Sequence, residues 1–169
     1  LADGTQIVND HREKAPIDAS RDMYLDANGD IIPGLSRNTH KAVGVPGSVD
    51  GLLAALERYG SLPRARVLAD AIELARDGFP LPADIARQFA QRSERLGRFP
   101  GGRAAFQKSD GTKYVAGDLW KQPDLAKTLE RIARRGRAGF YEGDTADMLV
   151  SEMRRHGGLI SHDDLKDYR

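Results

Sequence analysis

Apolar residues recur at helical spacing through most of the chain. Val49, Leu52, Leu53, Leu56 and Tyr59 fall on one stripe, which predicts a helix with Ser48 as N-cap and Gly60 as its stop. A second helix starts near Pro63, turns Val67, Leu68, Ala71, Ile72 and Ala75 inward, and ends at Gly78 with Pro80 just beyond. Ile85, Phe89 and Leu96 predict a third over 83–96, with its arginines outward. Gln122-Pro123-Asp124 opens another, with Leu125, Leu129, Ile132 and Ala133 on its stripe and Gly136 as its stop. The same pattern returns over 145–155 through Met148, Leu149 and Met153, ahead of Gly157-Gly158.

Strand signals are confined to the margins of this helical pattern. Asp3-Gly4 is a turn pair followed by a β-favouring run over 5–9, whose partner would be Leu1-Ala2 alone. Residues 41–45 read as a second extended piece. Within the Gly-rich stretch 99–118, Ser109-Asp110-Gly111-Thr112 predicts a small hairpin near 105–115. At the far end, Ser161-His162-Asp163-Asp164 has capping-box spacing, with Leu165 and Tyr168 on one face of a helix that reaches Arg169. A five-residue run with a two-residue partner and a helix of two turns together lead us to expect an internal segment of a longer polypeptide. In that segment 1–47 forms a strand and loop leading to a substrate site, and 48–169 a helical region.

Charge narrows the range of partners. The 169 residues carry 26 Lys and Arg against 25 Asp and Glu, a net charge of +1, which offers no cationic excess for a general polyanion binder and argues against nucleic acid. No apolar run approaches the length of a membrane span. The absence of cysteine removes disulfides, thiolate metal sites and cysteine nucleophiles together.

Motif chemistry is sparse. His11, His40, His156 and His162 form no metal-binding pair, so no metal site is expected. Asp26-Ala27-Asn28-Gly29-Asp30 resembles the start of a calcium loop, but Ile31 stands where the sharp turn needs glycine and Arg37 where a bidentate carboxylate is needed; a polar turn is expected. There is no nucleophile elbow and no P-loop lysine. Arg131, Arg134, Arg135 and Arg137 cluster near a helix C-terminus, where cations complement the dipole, and read as a solvated end. One polar stretch, Asn9-Asp10-His11-Arg12-Glu13-Lys14, lies where a strand passes into a loop, and Arg12 in it reads from its residue type alone as a surface or ion-paired side chain.

From this stretch onward the chain resembles the γ-glutamyltransferase family, also called γ-glutamyltranspeptidase or glutathione hydrolase. The resemblance is carried by Arg12-Glu13-Lys14-Ala15-Pro16, by Ala19-Ser20-Arg21-Asp22-Met23-Tyr24-Leu25, and by His40 with Val43-Gly44-Val45-Pro46-Gly47-Ser48-Val49. Ala75-Arg76-Asp77-Gly78-Phe79, Gln122-Pro123-Asp124-Leu125-Ala126, Phe140-Tyr141-Glu142-Gly143 and Gly157-Gly158-Leu159-Ile160 continue it in order to the end of the chain.

The resemblance implies an α+β, mostly helical piece of an N-terminal nucleophile hydrolase with an αββα sandwich. Residues 1–169 would be part of its large subunit. The nucleophilic threonine would then lie on the small subunit of the same precursor, leaving no catalytic residue in this segment. It implies no cofactor, a γ-glutamyl substrate such as glutathione, and a periplasmic or extracellular location. It aligns Arg12 with the arginine that holds the substrate α-carboxylate, a task suited to a planar guanidinium that donates two parallel charge-assisted hydrogen bonds. The alternatives are a glutaryl- or cephalosporin-type acylase of the same superfamily and a noncatalytic helical interaction module.

Overall fold

The computed structural model describes residues 3–169, which fall into two compact units: residues 3–67 with Arg131–Arg169, and Leu68–Glu130. The secondary structure is mostly helical with short antiparallel ribbons, an α+β arrangement. Among the described residues no helix is long and apolar enough to cross a membrane.

The first unit is organised around a two-stranded ribbon, β1 (Glu13–Lys14) and β2 (Val45–Pro46), paired antiparallel with Glu13 opposite Pro46 and Lys14 opposite Val45. Helix α1 (Ser48–Tyr59) leaves directly from β2. The run over 5–9 forms no strand, and Val8 is 95% exposed. Its suggested partner, Leu1-Ala2, lies outside the described residues. Of the extended piece over 41–45 only the end is a strand, because a 3-10 turn takes His40–Ala42. The Asp26 turn is polar, as expected: the Asp26 carboxylate accepts the N–H groups of Asn28 and Asp30 at 2.8 and 2.9 Å.

Helix α2 spans Arg64–Asp77 as the pattern predicts, but Val67 and Ala71 are exposed and only Ala75 is buried. In the second unit, β3 (Phe79–Pro80) pairs with β4 (Leu119–Trp120), and helix α3 (Ala83–Leu96) matches its predicted span. Phe89 lies 5.1 Å from both Phe106 and Trp120, and the Trp120 indole donates to the Ala105 carbonyl at 2.9 Å. A helix unforeseen in the Gly-rich stretch, α4 (Pro100–Phe106), supplies both Ala105 and Phe106. Gly101-Gly102 conceals it in the sequence, yet a side chain at 102 would strike the Leu96 carbonyl. The turn at Asp110-Gly111 does form, closed by a single antiparallel bridge between Gln107 and Lys113.

Helix α5 covers Pro123–Arg135, and Gly136 ends it at φ +60°. In the first unit a single turn, α6 (Ala138–Tyr141), precedes α7 (Gly143–Arg155) and α8 (His162–Asp167). The buried stripe of α7 is Ala146, Val150 and Met153; of the predicted residues Met153 is buried and Leu149 packs against this core, while Met148 is 52% exposed. These residues pack with Val45, Tyr141, Ile160, Leu165 and Tyr168 in one core.

The α8 capping box forms as the sequence predicts, with the Asp164 N–H donating to Ser161 Oγ at 3.2 Å and the Ser161 N–H to Asp164 Oδ2 at 2.8 Å. Asp164 Oδ1 also accepts the Ile17 N–H at 2.7 Å, tying the segment after β1 to the end of the chain. Asp164→Ala, which breaks both the cap and this charge-assisted bond, is expected to cost about 2–3 kcal/mol, and Ser161→Ala about 1 kcal/mol. Urea unfolding with unchanged denaturant slopes measures both.

Candidate functional site

Arg12 stands immediately before β1 with its side chain 86% exposed, and its Nε lies 3.1 Å from Glu13 Oε2. An ion pair this exposed contributes little stability and leaves most of the guanidinium open to another anion. Its backbone, in contrast, is tightly held. The Arg12 carbonyl accepts the Gly47 N–H at 3.2 Å, one step beyond the β1–β2 pairs. Asn9 Nδ2 donates to the Gly51 carbonyl at 2.7 Å, and His11 packs on Gly51 where any Cβ would collide with it.

Gly47 is required by space and not by conformation. Its φ of −107° and ψ of −16° suit any residue, but a Cβ there would strike Tyr168 Oη and the His11 carbonyl. Glycine here has a cost, because residue 47 is the N-cap of α1 and has no side chain to offer the first amides. Ser48, expected as the cap, is instead the first helical residue.

The missing cap comes from another helix. Tyr141 Oη accepts the Asp50 N–H at 3.2 Å and donates to the Pro46 carbonyl at 2.7 Å. Asp50 is the third residue of α1, the position an N-cap side chain ordinarily serves. Burial, with Tyr141 only 2% exposed, pushes its phenol up to about 12. Tyr168 stacks on it at 5.9 Å, and its phenol is also raised, first by burial and then by the carboxylates of Asp50, Asp10 and Glu13.

Arg137 completes the support and departs from the solvated role expected of its cluster. Its side chain is 24% exposed; Nε donates to Asp50 Oδ1 at 2.8 Å, and Nη2 reaches the carbonyls of Tyr168, Lys166 and Leu165 at 2.7, 3.0 and 3.1 Å. The guanidinium also lies 4.5 Å from the Tyr141 ring centroid. Arg131 is paired too, with Asp144 at 3.4 Å. Among the described residues no grouping of three or more His, Asp or Glu could hold a metal ion. The arrangement is an accessible guanidinium whose backbone is bonded to the β2–α1 corner. Arg12, singled out by the family resemblance, stands exposed before β1; the residues that support the corner it bonds to, Gly47, Asp50, Arg137, Tyr141 and Tyr168, are assigned no such role by sequence reasoning. The one local signal was the glycine pair Gly44 and Gly47 flanking Val45-Pro46 ahead of a helix.

Comparison with known proteins gives a consistent result. A family model described as Gamma-glutamyltranspeptidase matches residues 2–169. A glutathione hydrolase proenzyme of Pseudomonas aeruginosa is 47% identical over 167 residues, covering 99% of this chain and 29% of that protein. Among solved structures, the γ-glutamyltranspeptidase of Helicobacter pylori superposes with a TM-score of 0.91 at 38% identity, over 95% of this chain and 46% of that one. That of Pseudomonas nitroreducens, complexed with L-DON, gives 0.83 at 43% identity over the same shares. The chain therefore spans less than a third of the curated relative's length and under half of each solved chain.

The raised Tyr141 phenol makes stability depend on pH in a defined window. Below about pH 10 the phenol is neutral in folded and unfolded states alike and its contribution is complete. As pH rises from about 10 to about 12 the unfolded chain releases the proton and the folded one retains it, so stability is lost. Urea unfolding across that window should show the wild-type chain losing about 2–3 kcal/mol more than Tyr141→Phe.

Proposed function

Because this chain belongs to the γ-glutamyltranspeptidase family, we propose that it is a large-subunit segment of an enzyme that cleaves γ-glutamyl amides such as glutathione. In that enzyme a threonine at the new N-terminus of the small subunit attacks the γ-carbonyl, its proton passing to the terminal α-amine. The tetrahedral intermediate collapses to a γ-glutamyl ester as the amine leaves with a proton. Water or the amine of an amino acid or peptide acceptor then takes the acyl group, giving hydrolysis or transfer. The partner of this segment is the small subunit of the same precursor, and the enzyme works in the periplasm or outside the cell. The isolated segment turns over nothing.

Arg12 is the substrate-binding residue in this reading. One observation carries it: in a chain matched nearly end to end by the family, Arg12 is an accessible guanidinium on a backbone fixed at Gly47. Its two parallel N–H donors match the α-carboxylate, and a fixed base sets the distance from that carboxylate to the γ-amide. Lysine would keep the charge and lose the fork. Glu13, at 3.1 Å, orients the guanidinium between turnovers.

The test compares full-length, self-processed enzyme with its Arg12→Ala variant on a γ-glutamyl anilide. The expected loss in kcat/KM corresponds to about 2–4 kcal/mol of transition-state binding. Equal activity in both would return Arg12 to the surface and leave the enzyme class standing; a processed but inactive wild type would overturn the γ-glutamyl reading.

A further inference from the structure

Arg12 is held through its backbone, and the hydrogen bonds that hold it run through one peptide group to one phenol. The Gly47 N–H that donates to the Arg12 carbonyl and the Pro46 carbonyl that accepts from Tyr141 Oη belong to the same planar unit. Tyr141 therefore fixes, from the far side, the plane whose near side holds Arg12. Aligned bonds of this kind polarise one another. The same oxygen takes the Asp50 N–H, so it grips the chain on both sides of Gly47, the residue that can carry no side chain of its own.

We propose that Tyr141 is a positioning residue for substrate recognition, its hydroxyl setting the place of the ribbon from which Arg12 reaches the substrate carboxylate. The proposal rests on the reading of Arg12 given above and goes beyond it by assigning a buried residue whose hydroxyl is engaged by Pro46 and Asp50. Tyr141→Phe keeps the ring, its stacking on Tyr168 and the Arg137 contact, and removes only the two bonds that orient the peptide plane. The charged and titratable groups facing the phenol are Asp50 from α1, Arg137 at the start of α6 and Tyr168 after α8, with Lys14 of β1 5.2 Å from the Tyr168 ring.

The experiment uses the full-length, self-processed enzyme and two substrates, a γ-glutamyl anilide and the 4-aminobutyryl anilide that lacks the α-carboxylate. Tyr141→Phe is expected to raise KM for the first about 5–20-fold with kcat within about twofold, and to leave the second unchanged. In an Arg12→Ala background the same substitution is expected to have no further effect, since a mount matters only while it carries the clamp. Equal losses on both substrates, or additivity with Arg12→Ala, would show a merely structural tyrosine and overturn the proposal. If Arg12→Ala itself leaves KM unchanged, the reading of Arg12 falls; if it raises KM and Tyr141→Phe does not, the proposal alone falls. Should Tyr141→Phe fail to fold, 3,5-difluorotyrosine at 141 retains the O–H with a lowered pKa. KM for the γ-glutamyl anilide should then rise with pH in a range where wild type is flat, and a profile matching wild type would overturn the proposal equally.

Discussion

The first unit depends on the close approach of two backbones at Gly47. Arg12 can pair with that residue only because nothing projects from its Cα toward Tyr168 and the His11 carbonyl. That absence removes the local cap of α1, and a helix with unpaired first amides beside a packed core is unstable. Tyr141 resolves the conflict by supplying the oxygen from a different part of the chain, 91 residues away. The order of cause runs from a steric requirement, through a lost hydrogen bond, to a long-range substitute for it. Once the substitute is in place the β2–α1 corner is determined from both sides.

A second level of support keeps the phenol in place. Arg137 brings a charge to a position 24% exposed, where an unpaired guanidinium would be costly. It is satisfied by Asp50 and by three carbonyls at the end of α8, two of which, those of Lys166 and Tyr168, also accept from Arg169 Nη1. Cations near a helix C-terminus are favoured by the dipole, and this one belongs to the C-terminus of α8 and not to the helix it follows in sequence. Removing Arg137 would take the ion-pair partner from a mostly buried Asp50, and removing Asp50 would leave the guanidinium on neutral carbonyls alone, a larger loss than an exposed pair would suffer.

The sequence reveals the helices well because their stripes and stops are local. The span of α3, the stop of α5 at Gly136 and the α8 capping box all follow from residues within one or two turns of each other. Three kinds of feature escape it. Helix α4 begins with Pro100-Gly101-Gly102, where composition reads as loop and the glycine answers to the Leu96 carbonyl. The exposed Met148 and Val67 show that an apolar residue at helical spacing need not be buried. The Ser48 cap fails because a trans cap from Tyr141 is invisible to any local pattern. The same holds at the candidate site: family resemblance singles out Arg12, whereas its mount is assembled from residues distant in sequence.

Why the accessible residue should be an arginine on a rigid base follows from the entropies involved. Immobilising an arginine side chain costs up to about 2 kcal/mol of rotamer freedom, and an unfixed backbone would add about 1–2 kcal/mol for each residue ordered. With Asn9 tied to Gly51, Arg12 to Gly47 and Glu13–Lys14 to β2, only the side-chain cost would fall at the moment of binding in the role proposed for Arg12. The exposed Glu13 pair is worth about 0–1 kcal/mol, so in the role proposed for Arg12 the exchange of Glu13 for a substrate carboxylate would be nearly neutral until the two-pronged geometry is met. A clamp of this kind discriminates by position more than by charge, because any anion can displace Glu13 but only a correctly placed carboxylate gains both bonds. In the proposed arrangement the accuracy of that placement would reside in the peptide plane between Pro46 and Gly47, which bonds the Arg12 carbonyl on one side and the Tyr141 hydroxyl on the other.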